Sequence, residues 1–101
     1  MKIIDKASWQ LDGGASEHWV RNHFKTVFEW LYGKKWLTPD GVEIVDEWLY
    51  SDASLSERTV GQQGLSFLEE CYDEYVTRVT VANNDGAQVL EEVYREYKAR
   101  K

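Results

Sequence analysis

The sequence predicts a mainly α-helical, compact four-helix domain with an irregular N-terminal arm, its helices at about residues 17–32, 39–50, 65–82 and 86–99. Three observations predict it. Apolar residues recur at helical spacing, most clearly over Leu65–Val79. There Leu65, Leu68, Tyr72, Tyr75, Val76 and Val79 fall on one stripe at about 100° per residue. Capping and stop residues bracket the periodic stretches. The connections between them are short and polar, apart from residues 51–64. A chain of 101 residues has room for one core and one domain, and no internal repeat, low-complexity tract or linker divides it.

Residues 1–14 read as irregular or weakly extended. Lys2–Ile4 suits a short strand, and Asp12-Gly13-Gly14 is a turn signal. Trp9 and Leu11 alternate with polar neighbours, so Trp9 is expected to insert into the domain and gain its burial energy. Ser16 can cap the first helix, whose buried stripe is Val20, Phe24, Val27, Phe28 and Leu31, with Trp19, His23 and Trp30 along one edge. Gly33 suits the left-handed stop of that helix, and Lys34 and Lys35 follow at the negative end of its dipole.

Thr38-Pro39-Asp40-Gly41 is a sharp helix start: a capping hydroxyl, a proline whose missing amide is harmless there, and an acid facing the positive end of the dipole. The second helix is expected to bury Val42, Val45, Trp48 and Leu49. Residues 51–64 form a long connection rich in Ser, Gln and Gly, tethered by Leu55 and Val60 through one helical turn. In the third helix Thr77–Val81 is β-branched and open to a strand reading, but the stripe extends unbroken to Val79 and favours helix to Ala82. Asn83-Asn84-Asp85-Gly86 is a turn with Asp85 capping the fourth helix. Leu90, Val93, Tyr94 and Tyr97 face inward there, and Glu91 and Arg95 form an i,i+4 pair.

Composition narrows the function classes. The formal charge is −6, and it is unevenly spread. Between Thr38 and Tyr75 stand ten acids and one base, Arg58, whereas the remainder carries eight acids and eleven bases. A middle section of −9 excludes nucleic acid as its ligand, since phosphate binding needs clustered Lys and Arg, and it suits a basic partner. The single cysteine, Cys71, rules out an internal disulfide. No signal-like or membrane-spanning run is visible, which reads as a cytoplasmic protein without membrane contact.

Catalytic and metal chemistry find little support. His18 and His23 are five apart, pointing about 140° from each other on a helix, where a metal pair needs four. Cys71 lies beside carboxylates that raise a thiol pKa, so it reads as a small hydrophobe at the edge of the core. Gly61-Gln62-Gln63-Gly64 lacks the Lys-Ser/Thr of a phosphate loop. No enzyme, cofactor or metal site is expected.

The feature that points to function is opposite the apolar stripe of the third helix. Glu69, Glu70, Asp73 and Glu74 make a four-carboxylate front, and the second helix adds Asp40, Glu43 and Glu47. Like charges three and four apart repel by a few tenths of a kcal/mol per pair, and a basic surface would relieve them. Trp48 and Phe67 lie near these faces, with Phe67 off the buried stripe, as aromatic anchors ringed by charge.

Asp12-Gly13-Gly14, then His23-Phe24 with Phe28-Glu29-Trp30-Leu31, then Leu37-Thr38-Pro39-Asp40-Gly41-Val42-Glu43, and Gly64 with Phe67-Leu68 and Tyr72-Asp73 resemble a family of small uncharacterised bacterial proteins. These are encoded beside polymorphic or contact-delivered toxins as immunity proteins, and the resemblance spans roughly residues 9–75. It implies a cytoplasmic inhibitor that binds a toxin domain, often a basic one, by charge complementarity. No contact residue carries over from it; the acidic faces come from the residues themselves. The expectation is a non-enzymatic protein-binding domain of this type. A homo-oligomer with an aromatic self-interface and a small-ligand-binding domain with a pocket of Trp and Tyr are the alternatives.

Overall fold

The structure, a computed structural model, describes residues 3–47, 53–82 and 85–100, with residues 80–82 by their backbone only. Among these, strand β1 (Ile3–Lys6) leads into helices α1 (Ala7–Asp12), α2 (Glu17–Gly33) and α3 (Pro39–Glu47). Strand β2 (Ser54–Ser56) follows, then α4 (Gln62–Ala82) and α5 (Gly86–Ala99). The mainly helical class is as the periodicity predicts, with a short sheet added at the N-terminal side.

The expected strand near residues 2–4 forms and runs on to Lys6. It pairs antiparallel with β2, Ile3 opposite Ser56, Asp5 opposite Leu55 and Lys6 opposite Ser54. Two residues of β1 therefore span one of β2, and Ile4 is the extra residue of a bulge, which re-aims its side chain. β2 lies in the connection expected to hold a helical turn. Leu55 and Val60 tether that connection as anticipated, both fully buried.

α1 departs from the expected arm. Lys6 enters it extended (φ −136°) with no side-chain cap, which is why no start signal marks it. Gly14, at φ 98° in the left-handed region, turns the chain out of it. In an extended arm Trp9 and Leu11 would share a face; on a helix they lie about 200° apart, and only Ala7 of α1 is buried. Trp9 is 50% exposed rather than inserted, with the Lys6 ammonium 5.7 Å from its ring centroid.

α2 starts at the predicted cap, the Ser16 hydroxyl accepting from the Trp19 amide at 3.1 Å. It buries the predicted stripe, and His23 and Trp30 with it. Its end differs. Gly33 is the last helical residue, and the left-handed residue is Lys35 (φ 63°). The Lys35 amide bonds the Tyr32 carbonyl and the Trp36 amide the Leu31 carbonyl, each at 3.0 Å, a Schellman closure with lysine where glycine is usual. Lys35→Gly is expected to raise the unfolding free energy by about 0.5–1 kcal/mol in denaturant melts, because glycine takes this conformation without the Cβ penalty.

Thr38 caps α3 as predicted, accepting from the Gly41 amide at 3.3 Å and donating to the Arg58 carbonyl at 2.6 Å. The buried face is Gly41 and Ile44 rather than Val42 and Val45, which are half-buried. The reason is close approach: a Cβ on Gly41 would stand 2.2 Å from the Thr59 carbonyl oxygen. Trp48 and Leu49 lie outside the described residues.

α4 is one unbroken helix, so Thr77–Val81 is helical, and it begins three residues ahead of Leu65. It packs against α5 and β1, while α2 packs on α1, α3 and α5. Asp85 caps α5 through the Ala87 amide at 3.0 Å.

Candidate functional site

The helix packing divides the four-carboxylate front of α4. Glu69, Glu70 and Asp73 are exposed and Glu74 is half-buried. On the side toward α5, Arg78 binds Glu74 at 2.8 Å and Glu96 at 2.7 Å, and Arg100 stands 3.8 Å from Glu70. Glu96 is held below the usual carboxylate range mainly by its hydrogen bonds to Arg78. On the side toward β1, Glu69 and Asp73 rim a notch of about 370 Å³ whose other walls are Ile3, Ile4, Leu68 and Tyr72. One half of the front is thus matched by cations within the molecule. The other half borders this notch.

The sequence shows this division only in part: Arg78 stands on α4 one turn after Glu74, but Glu96 and Arg100 come from α5 and its end, remote along the chain, and the notch exists only where β1 meets α4. Of the other predicted site residues, Asp40 pairs with Arg58 at 3.2 Å, and Glu43 and Glu47 are exposed on α3. α3 rests on α2 while α4 rests on α5 and β1, so the two acidic rows belong to separate packings. Trp48 lies outside the described residues.

Phe67 is not a surface anchor. It is 1% exposed, its ring 5.5 Å from Trp30, 6.3 Å from Trp36, 5.5 Å from Tyr94 and 5.3 Å from Tyr97. The stripe reading assumed one packing partner for α4. α5 supplies a second, covering the arc that carries Phe67 and Cys71. Much of the aromatic surplus is therefore core. Cys71 is fully buried, and burial, more than its acidic neighbours, pushes its thiol pKa up; Arg100 Nη2 donates to its Sγ at 3.4 Å.

Beneath the notch runs a buried polar link that the sequence did not reveal. Tyr72 Oη donates to Asp5 Oδ2 at 2.5 Å and lies 2.6 Å from His23 Nε2. Since the tyrosine spends its one proton on Asp5, His23 must donate from Nε2, which assigns the tautomer. Gln10 Nε2 and the Lys6 amide also donate to Asp5, each at 2.8 Å. The imidazole stacks on Trp19 (4.8 Å) and Tyr75 (5.8 Å) and meets the edge of Phe24. Burial drives the His23 pKa down to about 4, against the pull of the Asp5 carboxylate. Burial, with Asp5 second, drives the Tyr72 phenol up.

This link ties β1, α2 and α4 together. Its His23 was legible only as a residue along the edge of the Val20–Phe24–Val27 stripe. Asp5 carried no signal, as its side-chain partners, Gln10 and Tyr72, are 5 and 67 residues away.

Among the described residues no group of three or more His, Cys, Asp or Glu could hold a metal ion, and no helix is long and apolar enough to cross a membrane. No family model matches the chain, and no match is found among curated proteins or solved structures.

Proposed function

We propose that this chain is a non-enzymatic binding domain that engages a basic protein, of the kind that neutralises a toxin encoded beside it. The observation that carries the reading is the set of exposed carboxylates, Glu69, Glu70 and Asp73 on α4 with Glu43 and Glu47 on α3. They stand in the acidic middle section of the chain, where Arg58 sits on Asp40 and Arg100, from the end of α5, stands 3.8 Å from Glu70. Such a surface steers a cationic partner during encounter and discriminates against anionic ones. The resemblance to immunity-type proteins supports the same class of partner. The buried link at Asp5, Tyr72 and His23 serves here as a rigid base for α4, so that its acids are presented in fixed positions.

The test is calorimetric titration of the purified protein with the product of the adjacent gene at low and at high salt. Affinity is expected to fall steeply as salt screens the pairs. Neutralising Glu69, Glu70, Asp73 and Glu74 together should weaken binding by about a hundredfold, two pairs' worth of interfacial charge coupling. An affinity indifferent to salt and to those substitutions would overturn the reading.

A further inference from the structure

We infer that the aromatic groove between the Trp36 turn, the start of α4 and the end of α5 binds a proline-rich segment that carries an acidic residue. The groove is lined by none of the acids of α3 and α4, so this second site is independent of the basic-partner reading.

Most of its accessible lining is apolar, and three rings supply it: Trp36, Tyr94 and Tyr97. Lys35 turns the chain left-handed out of α2 and so brings Trp36 against Tyr94, the ring centroids 5.2 Å apart and the planes at 81°. Tyr97 stands three residues beyond Tyr94 on α5, hence on the same face, with centroids 6.4 Å apart and planes at 26°. All three rings are half-buried, and the buried Phe67 lies within 6.3 Å of each. Packing of this kind holds them in place before a ligand arrives, which lowers the ordering cost of binding.

The polar groups of the lining are rich in donors. Lys98 brings three N–H donors and no acceptor, and the Trp36 indole brings one donor. Among the described residues neither group has a hydrogen-bond or ion-pair partner; the Lys98 ammonium rests 5.4 Å from the Tyr94 centroid. Proline is the complementary residue. Lacking an N–H, a run of prolines offers carbonyl acceptors without bringing donors that need partners of their own. Its rings pack on aromatic faces, and the polyproline II helix is formed in advance of binding. An acidic neighbour answers Lys98, the one charged residue among those that line the groove.

Other peptide conformations fit less well. Neither strand of the sheet lines the groove, so an added strand has no ladder to join. Its volume, about 400 Å³, suits a few residues rather than a helix anchored over two turns.

The experiment is a nitrogen-15 NMR titration of the full chain with three synthetic peptides of equal length: repeats of Pro-Pro-Pro-Glu, of Ser-Ser-Ser-Glu and of Pro-Pro-Pro-Lys. Moderate salt keeps the net charge of −6 from repelling the acidic peptides. The Pro-Glu peptide is expected to shift the Trp36 indole N–H and the amides of Gln62–Ser66 and Tyr94–Lys98 saturably. The Ser-Glu and Pro-Lys peptides should leave those resonances in place. Lys98→Gln, at an exposed side chain, should weaken Pro-Glu binding by about threefold to fivefold, whereas Arg95→Gln, outside the lining, leaves it within about twofold. Tyr97→Ala should weaken it by about tenfold or more, with the amides of Ile3–Lys6 unshifted to show an intact fold.

Equal affinity for the Ser-Glu peptide would overturn the recognition of proline. Equal affinity for the Pro-Lys peptide, or no effect of Lys98→Gln, would overturn the acidic residue of the ligand. Shifts from the Pro-Glu peptide centred away from Trp36 and Tyr94, or none at all, would overturn the site and leave the basic-partner reading standing.

Discussion

Phe67→Ala is expected to lower the unfolding free energy by about 3–5 kcal/mol, the range for truncating a buried aromatic ring. The ring is 1% exposed among four other aromatic rings at the junction of α2, α4 and α5, so its removal leaves a cavity lined on every side. Domains of this size have only about 5–15 kcal/mol to lose. A large fraction of the chain should then be unfolded under mild denaturant, and binding should be lost only in proportion. Phe67→Leu keeps most of the volume and should cost less than about 1.5 kcal/mol. The informative contrary result is a full-length melt unchanged by Phe67→Ala with binding abolished, which would return Phe67 to the surface as an anchor.

Acidification should reveal His23. Its folded-state pKa of about 4 lies below the ordinary 6.5, so between those values the unfolded chain binds a proton that the folded chain refuses. Stability is accordingly full above about pH 6.5, declines as pH falls from there to about 4, and levels off below it as far as this group is concerned. At about 1.4 kcal/mol per pH unit the window amounts to about 3 kcal/mol. Glu91 and Glu96, whose pKa values are lowered chiefly by Lys34 and Arg78, act in a different window, below the ordinary carboxylate value of 4.5. The slope between pH 6.5 and 4.5 thus isolates His23.

His23→Gln should flatten that slope in urea melts while costing stability at neutral pH. Tyr72→Phe removes the hydroxyl between Asp5 and His23 and should cost about 1–3 kcal/mol at neutral pH, the range for leaving buried polar groups unpaired. A wild-type chain equally stable at pH 6.5 and 4.5 would show that the imidazole is not buried as described.

What was legible in the sequence was local. Ser16, Thr38-Pro39 and Asp85 each satisfy amides two or three residues away, so the starts of α2, α3 and α5 follow from neighbouring letters alone. The stripe of α4 likewise told apart helix and strand at Thr77–Val81, because a period of 3.6 residues persisted through β-branched chemistry. α1 stayed hidden for the converse reason: it is six residues long, has no side-chain cap, and places its tryptophan in solvent.

Burial and pairing belonged to the tertiary structure, since both depend on what comes to lie opposite. Two arcs of α4 are buried because α5 lies on one and β1 with the rest of the core on the other, and this takes Phe67 inside. The acidic front is split because α5 brings Glu96 and Arg100 to the side where Arg78 pairs with Glu74 on α4 itself, whereas Ile3 and Ile4 arrive at the other. Asp5, His23 and Tyr72, far apart along the chain, meet only because a strand, two helices and their side chains close around one low-dielectric spot. The caps and periods wrote the helices; the contacts between them decided which carboxylates face a partner.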